Sequence, residues 1–299
     1  MTKNLDNDGL RSVFDTYDLF FIDLWGVIHN GIEPYKEAVR VLSKLLELKK
    51  EFVLLTNAPR PNESVKNFLE KMSLDKKMIE KVFTSGEAAL NYLKKEHLND
   101  IFYHIGPPRD FDLFVDFKKN KTENISKCQY LLCTGLYDDH DQDLNYYENL
   151  LSKFNSKKMI CTNPDLVVDR GNKREYCAGS VAMIFKKLGG EVIYFGKPHA
   201  EVYNQSIKTK KKNIIAIGDN LKTDIKGANN MNYDSLLITN GIHSKEIQNE
   251  GVEQVLKKIN FEESEKSYYL YDLFDWKDDY EHDPHRELKD KNLYSKVKN

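Results

Sequence analysis

The sequence lacks a surplus of either charge. Lys and Arg number 45 against 47 Asp and Glu, a net of −2 over 299 residues. That excludes the general basic footprint of a nucleic-acid binder and the self-repulsion of a strongly acidic chain. No run of about 18 apolar residues occurs, which excludes a helical membrane span. The first ten residues are polar and carry Asp6 and Asp8, without the basic-then-apolar order of a secretion signal. The four cysteines, Cys128, Cys133, Cys161 and Cys177, form no CxxC pair. Their scatter favours reduced, buried thiols over a metal or disulfide set, and a cytoplasmic location. No internal repeat is visible.

What is there is a chain that is 40% hydrophobic and 31% charged, long enough for one large domain or two. Strand-like and helix-like stretches alternate, which predicts an α/β fold with a mostly parallel sheet. Residues 18–23 (DLFFID) form an aromatic-rich run ending on a carboxylate. A helical pattern follows, with Ala38, Leu42, Leu45 and Leu46 on one face. Further strands are expected at 52–55, 81–84, 101–105, 130–134, 158–161, 192–195, 214–217 and 235–239. The Gly189-Gly190 pair stops a helix over 180–188. Past residue 261 the chain turns aromatic and charged, then Lys-rich, and reads as a strand or arm followed by a frayed tail.

Four segments carry chemistry, and each follows an expected strand, where ligands of parallel α/β sheets gather. Asp23-Leu-Trp-Gly-Val puts a carboxylate at a strand tip, fit for a nucleophile or metal ligand, though a turn Asp has the same look. Thr56-Asn57-Ala-Pro-Arg60 offers a hydroxyl and backbone N–H groups to an anion, or an ordinary helix cap. Gly196-Lys197-Pro198 holds a cation in place. Gly218-Asp219 and Asp224 supply two carboxylates five residues apart, suited to a hard divalent cation.

Together, in this order, these segments resemble the haloacid dehalogenase (HAD) superfamily of phosphohydrolases. The insertion between the second and third segments resembles a class IIA cap, typified by nitrophenylphosphatase-like and pyridoxal or nucleotide phosphatases. Thr84-Ser-Gly-Glu-Ala-Ala89 and Thr162-Asn-Pro-Asp165 match that class. Asp-x-Trp-Gly-Val, Thr-Asn-Ala-Pro-Arg and Gly-Lys-Pro-His are similar to a subgroup described as predicted sugar phosphatases. The resemblance implies a Rossmann-like core with a parallel sheet, in two pieces (1–87 and 192–260), a cap over 88–191, and an arm and tail over 261–299.

It also implies roles. Asp23 is the nucleophile, forming an aspartyl-phosphate. Mg²⁺ is held by Asp23, the backbone carbonyl of Trp25 and Asp219, with Asp224 orienting its waters. Thr56, the Asn57 N–H and Lys197 hold the phosphoryl oxygens, and Arg60 meets a second anionic group of the substrate. Asn163 and Asp165 are candidates for a cap loop that faces the substrate. The partner is a small phosphorylated metabolite, with neither nucleic acid nor membrane, and relatives of this class dimerise through their caps.

The pattern departs at Trp25, where phosphatases of the superfamily carry a second Asp as proton donor. Indole N–H only donates and does not ionise near neutrality. A slow enzyme is therefore expected, with His29, on the nucleophile's own loop, as the substitute acid and His199 behind it. Two other readings stay open: a non-catalytic phosphate-ligand-binding or regulatory protein, and a phosphotransferase. Haloalkanoate chemistry, which uses no metal, is disfavoured by the retained Asp219 and Asp224.

Overall fold

The computed structural model describes residues 2–170, 173–207, 213–258 and 267–273. Its strands are β1 (Lys3–Asn4), β2 (Leu19–Ile22), β3 (Glu51–Thr56), β4 (Val82–Thr84), β5 (Phe102–Ile105), β6 (Tyr130–Cys133) and β7 (Lys158–Cys161). They continue with β8 (Val167–Arg170), β9 (Lys173–Tyr176), β10 (Glu191–Tyr194), β11 (Ile214–Gly218), β12 (Asp234–Ile238) and β13 (Ser267–Leu270). By proximity the chain divides into two compact units. Among the described residues, one comprises 2–29, 34–52, 213–258 and 267–273, and the other 30–33, 53–170 and 173–207.

In the first unit, β1, β13, β12, β11 and β2 lie side by side and all pair in parallel. The strands β2 and β11 are buried along their whole length, which is why residues 18–23 read as continuous apolar sequence rather than as an alternation. Their register pairs Ile22 with Ile217, so the carboxyl ends of the two strands finish together. The Asp23 N–H donates to the Ile217 carbonyl at 2.8 Å, extending the ladder to the carboxylate-bearing residue. Helix Lys36–Glu47 buries Ala38, Leu42 and Leu45 of the expected stripe, together with Val41, while the expected Leu46 is only half-buried at its edge. On β12, Leu237 packs with Leu221, Ile225, Val255 and Leu256. The strand expected in the segment after 261 is β13, held between β12 and β1. The expected tail, 274–299, lies outside the described residues.

In the second unit, β3 pairs in parallel with β4. A separate four-stranded parallel sheet runs in the order β10-β7-β6-β5, and β8 and β9 make an antiparallel hairpin. Helices Leu144–Leu151 and Ala178–Lys187 cover this sheet, burying Tyr147, Leu151, Val181 and Phe185 against Leu131, Cys133, Met159 and Cys161. The core reaches its density through the missing side chain of Gly190, where a Cβ would stand 2.4 Å from the Phe185 ring. All four cysteines are buried thiols, and burial pushes Cys161 up to about 12. No helix among the described residues is long and apolar enough to cross a membrane.

The carboxyl ends of β5 and β6 hold a buried polar cluster. His104 Nε2 lies 2.9 Å from Thr134 Oγ1, and the Thr134 hydroxyl also bonds the Asp110 carboxyl. Burial pushes Asp110 up to about 6 and His104 down to about 3. The two groups bias stability in opposite directions. Asp110, raised from 3.8 in the unfolded chain, stabilises at low pH, and that contribution is lost as pH rises through about 6. His104, depressed from 6.5, costs stability as pH falls from that value toward about 3. Asp110→Asn removes the first effect and leaves the second. The variant is expected to be more stable at pH 7, by on the order of 2–3 kcal/mol. It should also lose stability more steeply than wild type between pH 6.5 and 4. Urea unfolding at a series of pH values measures both, and parallel curves for the two proteins would contradict the assignment.

Candidate active site

The first unit gathers three carboxylates. One oxygen each from Asp23, Asp219 and Asp224 lies within 4.8 Å of the others, and all three residues are buried. Each is placed by a different device. Asp23 caps β2 and is carried by the ladder to Ile217. Asp219 follows β11, and its Oδ2 accepts the Ile242 N–H at 2.9 Å. Asp224 lies in a π-turn, Leu221–Ile225, which brings its Oδ2 back to the Asn220 N–H at 3.1 Å. π-Turns are rare and recur at functional sites because they re-aim one side chain out of the α-helical register.

Glycines make the approach possible. A Cβ on Gly26 would stand 2.1 Å from Asp219 Oδ2, and one on Gly241 2.2 Å from both the Asp219 Cβ and Oδ2. Gly26 also has φ +80°, a conformation open to glycine at little cost. A Cβ on Gly218 would meet the Asp224 carboxyl carbon at 2.1 Å. Three buried carboxylates at this spacing form an all-oxygen donor set of high negative charge, which suits a hard divalent cation.

The loop that follows Asp23 is a tight turn. The N–H groups of Ile28 and His29 both reach the Leu24 carbonyl, and the Gly26 N–H donates to the His29 carbonyl at 2.9 Å. The Trp25 ring is half-buried and meets His29 edge-on, with centroids 5.1 Å apart. Burial pushes His29 down to about 4. That shift disfavours the imidazolium form that the proton-donor expectation needs.

The second unit holds the other motif residues. Lys197 is buried, and its backbone is gripped by one side chain. Asn57 Oδ1 accepts the Lys197 N–H at 2.7 Å, and Asn57 Nδ2 donates to the Lys197 carbonyl at 3.0 Å. Asn57 Nδ2 also donates to Asp165 Oδ1 at 3.0 Å, while the Asp165 N–H reaches Asn163 Oδ1 at 3.0 Å. Thr56 Oγ1 accepts the Ala58 N–H at 3.2 Å. The His199 ring stacks on Tyr194 at 5.1 Å. Arg60 donates through Nε and Nη2 to Asp112 Oδ2, at 3.0 and 2.6 Å, and the Ser64 hydroxyl joins the same oxygen. This pairing engages two nitrogens of the guanidinium expected to meet the substrate and leaves its remaining N–H donors uncommitted to Asp112.

Three features went unread in the sequence. The Asn57 side chain serves the backbone of Lys197, 140 residues away, which no local pattern announces. Asp112 as the partner of Arg60 is equally non-local. The loop over 239–243, by contrast, follows β12 just as the other motifs follow their strands, and its Gly241 was the available signal.

Residues 20–117 match the family described as haloacid dehalogenase-like hydrolase, and residues 194–260 match the HAD-hydrolase-like family. The chain is 23% identical over 253 residues to a 5'-nucleotidase of Bacillus subtilis, covering 82% of this chain and 96% of the relative. It is 25% identical over 240 residues to an acid sugar phosphatase of Staphylococcus epidermidis, covering 77% and 89%. Among solved structures, a haloacid dehalogenase-like hydrolase from Brucella suis superimposes with a TM-score of 0.76 at 28% identity, covering 89% of this chain and 99% of that one. With family matches over residues 20–117 and 194–260 and a shared fold, the chain belongs to the haloacid dehalogenase-like hydrolases.

Proposed function

We propose that the protein is a phosphoric monoester hydrolase that acts on a small phosphate ester with the help of a divalent cation, taken to be Mg²⁺. The observation that carries this reading is the buried cluster of Asp23, Asp219 and Asp224. Relatives named as a 5'-nucleotidase and as sugar phosphatases support the reaction class, and the substrate range within it is a sugar phosphate or a nucleotide.

Asp23, Asp219 and the Trp25 carbonyl would hold the cation, with Asp224 orienting its waters. When bound, it would offset the repulsion between the Asp23 carboxylate and the incoming phosphate. The Asp23 carboxylate attacks phosphorus, a new O–P bond forms, and the ester O–P bond breaks with its electron pair leaving on the alcohol oxygen. Water then cleaves the aspartyl-phosphate and releases inorganic phosphate. Lys197, Thr56 and the Asn57 N–H act on the phosphoryl oxygens, and the Asn57 side chain fixes the backbone of Lys197.

Trp25 withholds the proton that the leaving oxygen needs, and burial holds the His29 ring below its ordinary basicity. Turnover is therefore slow on alkyl esters and faster where the leaving group is already acidic. Trp25 is also the feature that favours a second reading, a protein that binds a phosphate ester without turning it over. The core-and-cap organisation and a homodimer through the cap belong to the same proposal, as does a cytoplasmic location.

A panel of phosphate esters is expected to release phosphate only with Mg²⁺, and Asp23→Asn should lower release by about 10³-fold or more. Mg²⁺-dependent binding with no turnover would select the binder instead. Restoring the acid as Trp25→Asp should raise turnover of alkyl phosphates by about 10–10²-fold and leave nitrophenyl phosphate nearly unchanged. An equal effect on both substrates would show that proton donation is not the missing step.

A further inference from the structure

We infer that His243, oriented by Glu246, is a positioning residue for the acidic centre, setting the affinity with which the carboxylates hold their cation. The inference rests on the metal-binding reading above.

Residues 241–243 touch the Asp219–Asp224 segment at two points. The Ile242 N–H donates to Asp219 Oδ2 at 2.9 Å. Next to it, the His243 ring accepts the Leu221 N–H at Nε2, at 3.4 Å. Leu221 opens the π-turn that carries Asp224, and the Asn220 N–H before it is bonded to Asp224 Oδ2. One short loop thus reaches both the side chain of Asp219 and the backbone at the start of the turn bearing Asp224.

The tautomer follows from the partners. A backbone N–H only donates, so Nε2 must present its lone pair to Leu221. The ring proton therefore sits on Nδ1, where it donates to Glu246 Oε2 at 3.2 Å. Glu246 fixes both the tautomer and the ring plane, as outer carboxylates do for metal-site histidines. His243 precedes helix Ser244–Glu250 but does not cap it with its side chain. The imidazole reaches across to the neighbouring segment instead of serving its own helix, which separates this arrangement from an ordinary helix start.

Removing the imidazole leaves the Leu221 N–H without this acceptor and loosens the turn that aims Asp224. A carboxylate that wanders costs cation affinity, because the ion must then order it on binding.

The test is calorimetric titration of the full chain with Mg²⁺ alone, without any ester. His243→Ala is expected to weaken Mg²⁺ binding by about 10-fold or more. His243→Gln, whose Oε1 offers an acceptor in place of Nε2, should recover most of that loss. Glu246→Ala, at a partly exposed position tolerant of truncation, should weaken binding in the same direction and guards against a failure of His243→Ala to fold. Asp219→Asn should abolish binding. Wild-type binding that Asp219→Asn removes, but that His243→Ala and Glu246→Ala leave unchanged, overturns this inference and spares the metal reading. Absence of Mg²⁺ binding by wild type overturns both. Equal loss in His243→Ala and His243→Gln also overturns it, because shape rather than the acceptor would then be what matters.

Discussion

Mutual repulsion among Asp23, Asp219 and Asp224 is the constraint around which the first unit is built. At an effective dielectric of about 20, two unit charges somewhat under 5 Å apart repel by roughly 3–4 kcal/mol, so three such pairs cost on the order of 10 kcal/mol. The backbone hydrogen bonds received by Asp219 and Asp224 return about 1–3 kcal/mol each. They fall short of the repulsion when all three groups are ionised, and a bound cation is the natural complement. The parallel ladder and the glycines hold the three acids together without a cation, so the geometry is prepaid in the folding of β2, β11 and the π-turn.

That arrangement explains which positions tolerate change. Gly26, Gly218 and Gly241 lie where any Cβ would collide with an aspartate side chain. Their role is to vacate volume, and only the first also needs a left-handed backbone. In the second unit the constraint is different in kind. One amide, Asn57, satisfies both backbone groups of Lys197 and one oxygen of Asp165. Three segments remote in sequence share a single polar hub, so its loss is felt at all of them.

The legible part of the chain was the part written in short-range pattern. Buried parallel strands such as residues 19–22 and 214–218 announce themselves as unbroken apolar runs, and a carboxylate just past each run marks a strand end. The amphipathic stripe of 36–47 was equally plain, and the strand after 261 was visible in its aromatic density. The illegible part depends on distance and on burial. Nothing near Arg60 says that Asp112 will claim its guanidinium. The depressed basicity of His29 is a property of the side chains packed around it, not of its own neighbours in sequence. The grip of Asn57 on Lys197 exists only once β3 and the segment after β10 are folded.

The tight turn that carries Trp25 has an optical consequence. The chain has two tryptophans, Trp25 and Trp276. The first sits two residues beyond the proposed nucleophile with its indole edge-on to the His29 imidazole. Its emission therefore samples the local field and solvation of that loop directly. A cation or ester settling nearby would change both, so the residue in the place of the expected acid would also serve as an intrinsic fluorescent gauge of occupancy, readable without attaching a dye.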